Sequence, residues 1–145
     1  MGMKQKIMIV DDAEINRQIL MAILGDKYEY VQAENGCQAV HMLQHDLTID
    51  LILLDINMPE MNGFQMLERM NKFHWIDEIP VIMISSEGKR DIIERAYILG
   101  AEDYIRRPFD AFIVRRRVQN ILNLYANQKR LKQMVSDQIL SLIHI

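Results

Sequence analysis

At 145 residues, half of them apolar, the chain has room for one compact domain with a sizeable core and a short extension. The formal net charge of −3 is unevenly divided: from Ala111 onward six Lys and Arg meet only Asp137, a net of +5, while the first 110 residues carry eleven cations against nineteen acids, a net of −8. Six cations along a helix are what a solvated face carries, so nucleic-acid binding by this chain alone is not expected, and no apolar run nears the roughly 20 residues of a bilayer span. The single cysteine, Cys37, excludes an intramolecular disulfide and suits a cytoplasmic, reducing setting. It is expected to be a small, partly buried apolar residue.

Short apolar runs alternate with helical patterns five times, the signature of a parallel sheet with helices on both faces. Ile7-Met8-Ile9-Val10 reads as a buried strand that ends abruptly in Asp11-Asp12. Ile15, Ile19, Leu20, Ile23 and Leu24 then recur at helical spacing as far as Gly25. Tyr28 to Ala33 alternates like a strand, and Asn35-Gly36 turns the chain into a helix with Ala39, Val40 and Leu43 inward. Leu51-Ile52-Leu53-Leu54 is the third strand and ends on another carboxylate, Asp55. Gly63 opens a helix with Phe64, Leu67 and Met70 on one face; Val81 to Ile84 is the fourth strand, ending at Ser85-Ser86. Ile92, Ile93, Ala96 and Leu99 mark the next helix, Tyr104-Ile105 a short fifth strand closed by Arg107-Pro108.

From Asp110 a helix pattern runs on beyond what a domain of this kind needs, with Val114, Val118, Ile121, Tyr125, Val135, Ile139 and Leu142 on one seam that Gln128 and Lys132 interrupt. The expected organisation is therefore a domain over residues 1–124 and a helical extension or linker over 125–145, available for pairing with a second copy or for joining a further domain. The histidines (His41, His45, His74, His144) lack metal-ligand spacing.

Right-handed crossovers put every strand's carboxyl end on one edge, so Asp11, Asp12, Asp55, Ser85 and Arg107 share the rim where open α/β sheets bind ligands. Three carboxylates on one rim repel one another and call for a cation. All-oxygen ligation suits Mg²⁺, with Asp12 and Asp55 as direct ligands, the main-chain carbonyl of Asn57 as a third and Asp11 acting through water. A carboxylate so placed can attack phosphorus, which makes Asp55 the candidate nucleophile and phosphoacceptor, with the Ser85 hydroxyl and the Arg107 guanidinium as partners for phosphoryl oxygens.

Taken together, Asp11-Asp12 after an apolar strand, D-I-N-M-P-E-M-N-G from Asp55 to Gly63, Ser85-Ser86-Glu87, and Y-I-R-R-P-F from Tyr104 to Phe109 resemble the receiver domains of bacterial two-component response regulators, over about Lys4 to Leu124. The resemblance implies a flavodoxin-like, doubly wound five-stranded sheet. It also implies phosphorylation of Asp55 by a partner histidine kinase or phosphotransfer protein, with Tyr104 as the aromatic that moves inward as Ser85 engages the phosphoryl group. The surface that responds would be the fourth helix, fifth strand and fifth helix, roughly Lys89 to Asn123, and a downstream output domain could follow. Such a domain is a switch and not an enzyme, beyond transferring and losing its own phosphoryl group. The family usually has Lys where Arg107 stands, a departure that bears on the switch. Two alternatives stay open: a phosphorylation-independent docking module, and an aspartyl phosphotransferase-like enzyme. The latter usually wants an acid two residues past the nucleophile, where this chain has Asn57.

Overall fold

The computed structural model describes residues 3–143. Five apolar segments form its strands: β1 (Lys6–Val10), β2 (Glu29–Ala33), β3 (Leu51–Asp55), β4 (Val81–Ser85) and β5 (Asp103–Arg106). All pairs are parallel, in the order β2-β1-β3-β4-β5. Parallel strands need crossovers, and the helices α1 (Glu14–Leu24), α2 (Gly36–His45), α3 (Gly63–Lys72) and α4 (Arg90–Ile98) lie in the four of them, while α5 (Ala111–Ile143) follows β5. This is the doubly wound architecture that the alternating pattern implies, with the long carboxyl-terminal helix.

Alternate strand residues feed two cores. Met8, Val10, Ile52, Leu54 and Met83 point toward α2, α3 and α4; Ile7, Ile9, Leu51, Leu53 and Ile84 point toward α1 and α5. Every residue of β3 and β4 is buried, as expected of central strands covered on both faces. Helices α2 and α3 begin where side chains satisfy free backbone N–H groups. Asn35 Oδ1 accepts from the Gln38 N–H at 2.8 Å, and Asn62 forms a reciprocal capping box with Gln65.

Three details differ from the sequence reading. Ile15 and Ile19 are exposed, because α1 turns Arg17, Leu20 and Leu24 to the sheet instead. Cys37 is exposed, since the inward face of α2 is taken by Gly36, Ala39, Val40 and Leu43. The α5 seam is also not one continuous free stripe: Val114, Val118 and Ile121 are buried against β-strand side chains, while every described residue after Tyr125 is exposed. The same spacing thus serves internal packing in its first half and faces solvent in its second. His144 and Ile145 lie outside the described residues. Among the described residues no helix is long and apolar enough to cross a membrane.

The start of α3 is pressed against the end of β3. A methyl group on Gly63 would lie 2.6 Å from the Asp55 carbonyl oxygen and 2.9 Å from Ile56 Cα, both backbone atoms that cannot swing aside. Gly63→Ala is therefore expected to destabilise the protein by about 1 to 3 kcal/mol, measured by urea denaturation, as overpacking of a rigid contact does.

Candidate functional site

The strand order reverses between β1 and β3, since the chain leaves β1 first for β2 on one side and then for β3 on the other. Asp11 and Asp12 follow β1 and Asp55 ends β3, so the acids flank that reversal. One carboxylate oxygen from each of the three lies within 4.8 Å of the others. Asp11 and Asp55 are almost fully buried and Asp12 is exposed, so the cluster opens to solvent on the Asp12 side.

Backbone donors hold the carboxylates in place. Asp11 Oδ1 accepts the Ala13 N–H at 2.9 Å, at the entry to α1, and Asp55 Oδ1 accepts the Asn57 N–H at 3.3 Å. Asn57 itself is exposed, and its amide is the group that meets Asp55. Arg107, after β5, reaches across β4 into the cluster. Its Nη2 pairs with Asp11 Oδ2, its Nη1 lies 3.4 Å from Asp55 Oδ1, and its Nε is buried with no hydrogen-bond partner among the described residues. The Arg107–Pro108 peptide is cis.

The electrostatics follow from burial. Removal from water pushes the Asp55 carboxyl up to about 6, with the neighbouring Asp11 adding to the rise; Arg107 and the Asn57 N–H oppose it without cancelling it. Asp11 is raised for the same first reason, and the Ala13 N–H and Arg107 hold it back. The donor set fits a hard dication: three carboxylates, all oxygen, converging at a solvent-open corner whose buried members lack sufficient positive charge. Asp11, Asp12 and Asp55 are the side chains that would hold it.

Ser85 ends β4, is fully buried, and its Oγ accepts the Glu87 N–H at 3.0 Å. Tyr104 points inward from β5 and is almost fully buried, its hydroxyl donating to the Glu87 carbonyl at 2.7 Å. Glu87 thus joins the two through its backbone, one group to each. The sequence reading named Ser85 and Tyr104 and missed this link, which a backbone contact leaves no side-chain signal to reveal. It also missed Arg17, a buried cation whose Nη1 donates to the Asp11 carbonyl at 2.6 Å and whose Nε donates to Gln32 Oε1 at 2.9 Å. The available signal was its place three residues before Leu20 and seven before Leu24, on the inward face of α1.

Comparison with known proteins bears on the family and the fold. The family model described as the response regulator receiver domain matches residues 7–123. The chain is 37% identical over 127 residues to sporulation initiation phosphotransferase F of Bacillus subtilis, covering 86% of this chain and 99% of that one. It is 34% identical to the two-component response regulator ORR3 of Oryza sativa, covering 70% and 79% respectively, so the relatives extend beyond bacteria. Among solved structures, the chemotaxis protein CheY4 of Vibrio cholerae superposes with a TM-score of 0.75 at 26% identity, over 82% of this chain and 99% of that one. A response regulator/GGDEF domain protein superposes with a TM-score of 0.78 at 26% identity, over 85% of this chain and 51% of that one.

The raised Asp55 carboxyl makes a signed prediction. Its proton is held more tightly in the folded chain than in the unfolded one, where it titrates near 3.8. This group therefore supports folding below about pH 4, and that support is lost as pH rises through the window from about 4 to about 6, a swing on the order of 3 kcal/mol. Asp55→Asn is expected to raise the stability of the metal-free protein by about 1 to 3 kcal/mol at pH 7, and by much less at pH 4, in denaturation at the two pH values.

Proposed function

This chain belongs to the response regulator receiver domain family, whose members are signalling switches and not classical enzymes, and we propose that within it the chain is a phosphorylation-dependent switch with Asp55 as phosphoacceptor. The observation that carries the reading is the convergence of Asp55 with Asp11 and Asp12 at the reversal point of the sheet, with the Arg107 guanidinium beside it and Ser85 closing the neighbouring strand.

In the proposed reaction an Asp55 carboxylate oxygen attacks the phosphorus of a phosphohistidine on a sensor kinase or phosphotransfer protein. The O–P bond forms as the P–N bond breaks, and the departing imidazole nitrogen keeps that electron pair and takes a proton from solvent. What a bound Mg²⁺ supplies is neutralisation of charge on the phosphoryl oxygens. Asp12 and Asp55 would hold it directly, with the Asn57 carbonyl as a further oxygen and Asp11 acting through water. The chain's own part is positioning: β3 and the tight Gly63 contact fix Asp55, and Ser85, which uses its lone pairs for the Glu87 N–H, keeps its O–H free to donate to a phosphoryl oxygen.

The readout would run through the Ser85–Glu87–Tyr104 connection. As Ser85 aims its O–H at the phosphoryl group, any shift of its Oγ is passed through the Glu87 N–H bond to the loop before α4 and to the Tyr104 hydroxyl bond. That reaches the α4-β5-α5 surface, whose bias for a partner or an output domain would be on the order of 1 to 3 kcal/mol. A covalent output domain is the arrangement named for the GGDEF relative. Self-pairing, if the chain uses it, has Val135, Ile139 and Leu142 as its exposed apolar positions, the first half of the seam being buried.

Incubation with Mg²⁺ and acetyl phosphate is expected to add about 80 Da, one PO₃ unit, read by intact mass and absent from Asp55→Asn. Ser85→Ala is expected to slow that addition by about 2- to 10-fold, the loss of one hydrogen bond to the transferred group. An unmodified wild-type protein under these conditions would favour the docking-module reading.

A further inference from the structure

We infer that Arg107 is an internal counter-ion that competes with the divalent cation for Asp11 and Asp55, so that this site takes up Mg²⁺ more weakly than it would with lysine at position 107. The inference rests on the reading that the three aspartates hold Mg²⁺ and goes beyond it by assigning to Arg107 the setting of the metal affinity.

The guanidinium fork contacts both buried carboxylates at once, Nη2 on Asp11 Oδ2 and Nη1 at 3.4 Å from Asp55 Oδ1. The acid side chains are 2% and 3% exposed, so these oxygens have little water to fall back on. A planar fork suits this bridging; an ammonium is a point charge on a flexible stem and can leave one carboxylate for solvent without breaking a paired geometry. The same two carboxylates belong to the group of three whose oxygens gather within 4.8 Å, so a cation held there draws on the groups that the arginine already pairs with.

Two further observations indicate that the guanidinium is seated in the site. Its Nε is buried with no hydrogen-bond partner among the described residues, so the side chain leaves a donor unpaired while it holds its two Nη contacts. Its Cζ lies 5.8 Å from the Phe109 ring centroid, over the ring. The Arg107 side chain is 21% exposed, which gives the guanidinium a route toward solvent when a dication enters. An arginine keeps its charge at every pH the fold survives, so the competition does not relax on raising the pH.

The test is a Mn²⁺ titration of the full chain at neutral pH and low salt, with free Mn²⁺ read by electron paramagnetic resonance and Mg²⁺ affinity obtained by displacement. The proteins are wild type, Arg107→Lys, Arg107→Gln and Asp12→Asn, each checked for folding by circular dichroism. The expected order is Arg107→Gln tightest, Arg107→Lys next and wild type weaker than Arg107→Lys by roughly five- to tenfold, with Asp12→Asn weakest. Equal affinity in wild type and Arg107→Lys, or tighter binding by wild type, overturns the role of Arg107 while leaving the aspartate site standing. Failure of every variant to bind either metal overturns the metal reading and this inference together.

Discussion

Two carboxylates that are nearly excluded from water, and close enough to repel one another, set the terms for the rest of this structure. Asp11 and Asp55 are there because each closes a buried parallel strand, and the core on both sheet faces holds those strands in register whatever the acids prefer. Burial raises both groups, and the surroundings answer with whatever positive charge or N–H they can supply. These answers are the Ala13 and Asn57 amides, the Arg107 fork, and Arg17 bracing the Asp11 carbonyl from below. They offset the desolvation in part only, which is why a carboxyl near 6 persists at Asp55. A site in this condition has unspent affinity for a cation.

A chain of contacts links the rim to β5 and α5. Ser85, the Glu87 backbone and Tyr104 are joined by two hydrogen bonds of 3.0 and 2.7 Å, spanning from the rim to the interior of β5. Arg117 is tied to the same strand, through the Tyr104 carbonyl and an ion pair with Asp103 at 3.7 Å, so a shift at Tyr104 is felt by α5 as well. Family membership says that such domains are switches; these contacts say which groups of this chain would have to move.

Much of this was legible in the sequence because the signals were strong and local. Continuous apolar runs ending in Asp, Asp and Ser identify buried parallel strands and the rim, and Asn35-Gly36 marks a helix start that the structure caps through the Asn35 side chain. What was not legible depended on rotation and on backbone. The inward face of α1 is set by Arg17, Leu20 and Leu24, and a reading that counts only apolar residues drifts toward Ile15 and Ile19. The seam of α5 has one periodicity but two environments, since the sheet ends near Tyr125 and the helix does not. Arg107 was read as a partner for phosphoryl oxygens; that its guanidinium pairs with both Asp11 and Asp55 depends on side-chain reach across the rim, which the sequence does not show.

The central claim, that burial and mutual repulsion leave the Asp55 carboxyl poised for a cation, is tested most directly by carbon-13 NMR titration of its side-chain carboxyl with and without Mg²⁺. The account predicts a midpoint near 6 in the metal-free protein and a clear fall on adding Mg²⁺. A midpoint at the ordinary 3.8 that Mg²⁺ leaves unmoved would contradict it.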